Sequence, residues 1–213
     1  MSCVTDNDFV IQLAAWNLLN EFQAFLRDSL GVAEADIYVL DALPARIHKG
    51  DTKLERQYGN GALARVQRFC ENKGRVRSLP SDPSLLASIA SVQAIDPGEA
   101  ILIATAAQTP GTYLATNEWR FLEALATHPD QCAAAHDALK GRVLHLKQFI
   151  RYLLDAKGFQ ALKNVVTPAN GSDIIIQRAF AQNAAGARAT LDEEIATLQR
   201  IAKGMLADLS LVT

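Results

Sequence analysis

At 213 residues with a formal net charge of −2, the chain is long enough to bury one generous core unaided, and it is neither a polycation nor a polyanion. No apolar run approaches the roughly 20 residues of a membrane span, and the start is acidic rather than basic and then apolar, so a soluble, cytoplasmic protein is expected. Cys3, Cys70 and Cys132 are too few and too scattered for a disulfide framework or a zinc knuckle, and His48, His128, His136 and His145 lack ligand spacing.

A short strand is predicted over residues 2–6. An amphipathic helix follows over 8–29, its apolar face carried by Phe9, Leu13, Trp16, Phe22 and Leu26, with Asp6 or Asp8 able to cap it. Residues 37–40 read as a second strand, 43–49 and 52–72 as helices, and 75–79 as a third strand. Gly59-Asn60-Gly61 is a turn, since the Gly-Lys-Ser/Thr of a phosphate loop does not follow it. Helices are predicted over 83–92 and 98–108. The second opens on Asp96-Pro97-Gly98-Glu99, which sets a carboxylate near the positive end of the helix dipole. Thr112 to Thr116 is short, β-prone and bounded by Pro110-Gly111, so it reads as a buried strand delivering Asn117 and Glu118, with a helix over 118–126 behind it.

Strands alternating with helices call for a parallel sheet covered on both faces, an α/β fold. After Thr127-His128-Pro129-Asp130 the alternation stops. Helices are expected over 130–157 and 158–166, then two more segments parted near 186–190. Asn170-Gly171-Ser172-Asp173 is a break, with Ser172 or Asp173 as the next cap. Ile195, Leu198, Ile201, Met205 and Leu209 form one apolar face of a last helix. The predicted organisation is an α/β domain over 1–128 and an all-helical extension over 129–213, packed on that domain or forming an oligomer interface.

Charge is uneven along the chain. Asp6, Asp8, Glu21, Asp28, Glu34, Asp36 and Asp41 precede residue 46 against Arg27 alone. Arg46, Lys49, Lys53, Arg56, Arg65, Arg68, Lys73, Arg75 and Arg77 then outnumber Asp51, Glu55 and Glu71. Such a segment supplies an electropositive surface for phosphates or, equally, an ordinary solvated helix face. Lys140, Lys147 and Arg151 either extend that track or are likewise solvated.

Asp6, Glu99 and Glu118 each fall at a strand end or helix start, and Asp96 lies one turn before Glu99. Strand ends are where open parallel sheets keep their sites. Carboxylates that converge there without a cation repel one another, and a divalent ion relieves the repulsion. Each motif also has a plain structural reading, since acids stabilise helix starts on their own account.

Three stretches together resemble the PIN domain: Asp6-Asn7-Asp8-Phe9-Val10-Ile11, Asp96-Pro97-Gly98-Glu99-Ala100-Ile101-Leu102-Ile103-Ala104-Thr105-Ala106, and Tyr113-Leu114-Ala115-Thr116-Asn117-Glu118. The resemblance covers about residues 1–127. It implies a nuclease dependent on Mg²⁺ or Mn²⁺ that hydrolyses RNA or single-stranded nucleic acid, with Asp6, Glu99 and Glu118 as metal-holding catalytic acids and Asp96 in a supporting metal role. Thr116 and Asn117 would orient a carboxylate or touch the scissile phosphate, and Arg46 would position the backbone. Many members are toxins, which implies an antitoxin-like partner protein; a homo-oligomer is expected as well. The chain departs from the family at Arg46, where another acid is usual; Asp41 is the nearest replacement. Glu118 is also one methylene longer than the common Asp. Two other readings stay open: a catalytically silent PIN-like module acting through protein association, and an enzyme of phosphorylated metabolites on another α/β fold.

Overall fold

The computed structural model describes residues 1–48, 56–58, 60–76, 82–166 and 173–209. Strand β1 (Ser2–Thr5) leads into α1 (Asn7–Ala15) and α2 (Leu19–Leu30), then β2 (Ile37–Val39), α3 (Ala42–His48), α4 (Asn60–Glu71) and β3 (Gly74–Arg75). Helices α5 (Pro83–Ala90) and α6 (Pro97–Gln108) precede β4 (Thr112–Thr116), α7 (Arg120–Thr127) and α8 (Pro129–Ala138). The chain continues through β5 (Val143–His145), α9 (Leu146–Lys157), α10 (Phe159–Val166), α11 (Ile174–Phe180) and α12 (Ala184–Ala202).

The five strands among the described residues are all parallel, in the order β3-β2-β1-β4-β5, so the expected α/β sheet flanked by helices is present. Successive strand residues point to opposite faces, and the two apolar cores divide accordingly. Cys3, Ile37, Val39, Ala115 and Leu144 join the core under α1, α2, α4 and α9–α11. Val4, Leu114 and Val143 join the core under α5–α8 and α12. Having built outward from β1 to β2 and β3, the chain crosses back to place β4 on the other side of β1. The strand order thus reverses between β1 and β4, and the carboxyl ends of strands at such a reversal are where open α/β sheets take their ligands.

Several expectations need correction. The helix predicted over 8–29 is two, because Asn17 adopts a left-handed backbone (φ 56°) between Ala15 and Leu19. The region after residue 128 is not all helical. Gly141, at φ 68°, turns the chain out of α8, and β-branched Val143 then opens β5, which pairs with β4 in the register Thr116 to His145. The sheet is therefore completed by residues beyond the expected domain boundary. No break occurs near 186–190: Asn183 accepts from the Gly186 amide, and α12 runs unbroken from there. The expected cap at Asp173 is present, accepting from the Ile175 and Ile176 amides; Ser172 lies outside the described residues. The third strand is seen only at Gly74 and Arg75, and 77–79 lie outside the described residues.

The tail packs on the sheet. Leu198 is buried in the second core and Ile201 packs against it; Met205 and Leu209, expected on the same helix, lie beyond its end at Ala202, Met205 buried in the second core and Leu209 packed against the first. Lys147 is itself buried against Glu194 at 2.8 Å, and Arg151 is paired with Asp155 and Asp192. These cations clamp α9 to α12, and neither the nucleic-acid track nor the solvated face expected of them is what the structure contains. No helix among the described residues is long and apolar enough to cross a membrane.

Candidate functional site

The strand ends bring the predicted acids to one end of the molecule. Asp6 follows β1, its amide donating to the Ala115 carbonyl of β4 at 2.9 Å, and Glu118 lies two residues past the end of β4. Glu99 stands in the first turn of α6. The charges of Asp6 and Glu99 act on each other, as do those of Glu99 and Glu118.

Each acid is held differently. Asp6 occupies the cap position of α1 but makes no capping hydrogen bond. Burial pushes its carboxyl up to about 7, with Asp8 and Glu99 adding to the rise and the Asn7 and Asp8 amides opposing it. Glu99 is also pushed up to about 7, chiefly by burial and further by Asp96 and Glu118, against the pull of the Asp96 amide and Arg120. Among the described residues neither Asp6 nor Glu99 has an ion-pair partner. Asp96 has a complete structural role. Exposed at the start of α6, it accepts from the Glu99 amide while the Glu99 carboxylate accepts from the Asp96 amide, both at 2.8 Å, a reciprocal capping box.

Glu118 is fixed from two sides. Its amide donates to the buried Thr116 hydroxyl at 3.0 Å, so Thr116 holds this acid's backbone rather than its carboxylate. Its two carboxylate oxygens face Arg120, with Nε to Oε1 at 2.9 Å and Nη2 to Oε2 at 2.7 Å, and the Arg120 amide also reaches Oε1 at 2.9 Å. Burial raises the Glu118 pKa, but these Arg120 contacts outweigh it and leave the group below the ordinary carboxylate range. Arg120 drew no attention in the sequence because it sits outside the basic segment, two residues past the acid it serves.

A polar chain borders the acids. The Asn117 amide group approaches Asp173 at 3.5 Å, the Asp173 backbone amide donates to Gln12 at 3.1 Å, and Gln12 donates to Tyr58 at 3.3 Å. The Tyr58 phenol feels the charges of both Asp8 and Arg46, which places Arg46 at the margin of this end rather than among the acids. Asn7 Oδ1 and Asn117 Oδ1 are buried without a hydrogen-bond partner. His145, at the end of β5, is 1% exposed and accepts from the Lys147 amide through Nδ1. Burial, helped by Lys147, pushes its pKa down to about 3, so the imidazole is neutral at pH 7. The Asn117 backbone is the one neighbour that opposes the fall in its pKa by hydrogen bonding.

The donors suit a hard divalent cation in kind: carboxylates that repel one another, with bare amide oxygens beside them. In position they fall short. Among the described residues no three His, Cys, Asp or Glu side chains are grouped to hold one ion. Glu118 is engaged by Arg120 and Glu99 by its own helix cap. Asp41 does not make up the number, since it pairs with Arg75 at 3.7 Å. Much of the basic segment is also spent on the fold: Lys73 is buried against Glu34, and Arg65 donates to the Ala14 carbonyl. Lys49, Lys53 and Arg77 lie outside the described residues. A cavity of about 990 Å³ lies elsewhere, lined by Arg151, Tyr152, Asp192, Ile195 and Leu206 among others, and its guanidinium is already paired with two aspartates.

Compared with family models, curated proteins and solved structures, the chain matches none.

Proposed function

We propose that the chain is a PIN-type, metal-dependent nuclease that hydrolyses phosphodiester bonds of RNA or single-stranded nucleic acid at the carboxyl ends of β1 and β4. One observation carries this reading. At the strand-order reversal stand two acids with no ion-pair partner among the described residues, Asp6 and Glu99, and burial above all, with neighbouring carboxylates adding to it, raises both carboxyls to about 7. Acids held in this way suit a site built around a cation.

Asp6 and Glu99 would hold Mg²⁺ or Mn²⁺, with Glu118 as the third acid once it leaves Arg120. The ion would supply charge neutralisation and an activated water. Thr116 fixes where Glu118 leaves β4. Asn7 and Asn117 offer uncharged oxygens beside the acids. Arg46, next to Tyr58, would contact the backbone of the bound strand, a contact that orients without reading sequence. Cytoplasmic location, an antitoxin-like partner and self-association accompany this reading.

The test is cleavage of a generic single-stranded RNA in Mn²⁺, with EDTA as control, by wild type and Glu99→Gln. The glutamine amide oxygen can still accept from the Asp96 amide, so the cap survives while the charge is lost. Metal-dependent cleavage is expected in wild type and a loss of at least about 100-fold in the variant, with a melt in EDTA that is unchanged or slightly higher. Equal cleavage by the two proteins removes Glu99 from the mechanism. A wild type inert in both Mn²⁺ and Mg²⁺ favours the silent-module reading, which the Arg120 grip on Glu118 and the missing acid at Arg46 already support.

A further inference from the structure

We propose that the cleft between α9, α12 and the chain just past α12 is a docking groove for an extended, cationic peptide segment of another protein, which pairs as a strand with the free edge at Leu206. The inference is independent of the metal-dependent reading and uses none of its residues.

Past α12 the chain runs beside β5. The Val143 amide donates to the Met205 carbonyl at 2.9 Å and the Ala207 amide donates to the Val143 carbonyl at 2.8 Å, a parallel bridge centred on Val143 and Leu206. Met205 and Ala207 direct these groups at β5, so the N–H and C=O of Leu206 between them point the other way. Neither has a hydrogen-bond partner among the described residues, although Leu206 is only 9% exposed. Buried backbone groups are nearly always paired, and an open sheet edge is a template for another strand. Space lies beside this edge. Leu206 lines the cavity of about 990 Å³ together with Tyr152 and Ala156 of α9 and Ile195 of α12. Ile195, expected on the covered face of the last helix, joins neither core and is left as a wall of the cleft. Apolar walls flanking a strand edge take the alternate side chains of an added strand, while the edge holds its backbone.

Charge selects the partner. Asp155, Asp192 and Asp208 line the cleft against Arg151 alone. The Arg151 side chain is 17% exposed, whereas those of Asp155 and Asp192, which it pairs with, are 45% and 53% exposed, so the acids are what the cleft presents to solvent. Arg188, from outside the lining, pairs with Asp155 and still leaves an acid in excess. Two copies of the chain pairing edge to edge would bring these acids together, whereas a strand carrying lysine or arginine is attracted to them.

The full-length chain would be titrated, with EDTA present, against fluorescein-labelled hexapeptides followed by fluorescence anisotropy: one alternating lysine and valine, the same peptide N-methylated at every backbone nitrogen, and one alternating glutamate and valine. Wild type is expected to bind the lysine peptide and to bind the other two at least about tenfold more weakly. Ala156→Trp, which fills the cleft from an exposed position, is expected to weaken the lysine peptide at least about tenfold. Asp192→Asn combined with Asp208→Asn is expected to weaken it about three- to tenfold. No binding of the lysine peptide up to about 1 mM overturns the proposal. Equal binding of the N-methylated peptide overturns the strand pairing, and equal binding of the glutamate peptide or by the double variant overturns the recognition of charge. Undiminished binding by a folded Ala156→Trp places the peptide elsewhere; should either variant fail to fold, the comparison of peptides on wild type decides. A wild-type dimer in light scattering that Ala156→Trp disperses makes the groove a contact between copies and overturns the peptide partner.

Discussion

A carboxyl raised by burial and by its neighbours is a liability to the fold at neutral pH, and Asp6 is the clearest case. Its ordinary value of 3.8 moves to about 7, so between about pH 4 and pH 7 the folded chain keeps a proton that the unfolded chain has lost. The associated stability is therefore intact below the unfolded pKa and is lost as pH rises through 7. His145 works the other way, since a histidine depressed to about 3 costs stability as pH falls below its ordinary 6.5. The two trends overlap, and the difference between wild type and Asp6→Asn isolates the first. Asp6→Asn is expected to gain about 1–3 kcal/mol over wild type at pH 8 and little near pH 4.5, in urea unfolding with EDTA present. A gain independent of pH would mean that Asp6 titrates alike in the folded and unfolded chain, with no raised carboxyl. At this scale the acids were legible from sequence, because strand ends and helix starts are marked by composition. Arg120 was not, since only coordinates reveal that a residue two places on folds back onto Glu118.

Helices and strands show where local signals suffice. The start of α6 was legible in Asp96-Pro97-Gly98-Glu99 as a helix start with an acid in its first turn, and the structure adds that Asp96 and Glu99 cap it reciprocally. Strand β5 was not. Three residues are too few to show a period, and Val143–His145 sits between an alanine-rich helix and an amphipathic one, so only Gly141 hinted at an interruption. What makes β5 possible is Arg142, at its threshold. Its guanidinium gathers the carbonyls of Ala106, Thr109, Thr112 and Ala138, tying the end of α6, the start of β4 and the end of α8 to one point. Arg142→Ala would leave several carbonyls without a donor and is expected to cost about 2 kcal/mol in urea unfolding. The acids lie at the opposite end of the strands, so metal binding by the folded variant should match wild type.

The whole molecule depends on its later half more than the sequence suggested. A fragment ending at His128 would lack β5 and the helices that cover β4, leaving Leu114 and Ala115 without their neighbours Val143 and Leu144. Such a fragment is expected to be unfolded or aggregated by circular dichroism and light scattering, and a monomeric, cooperatively melting one would show that the expected boundary was right after all. The strand order carries one more consequence, for how the protein is made. Ser2 on β1 meets Thr112 on β4 across 110 positions of chain. At roughly 5–20 residues per second the ribosome needs roughly 5–20 s to bridge that interval. During it the central strand of the sheet has emerged with one of its two edges waiting for a neighbour that does not yet exist. The first strand synthesised is thus among the last to be enclosed, and the nascent chain carries an open β edge through most of its own translation, the interval in which a chaperone would matter most to it.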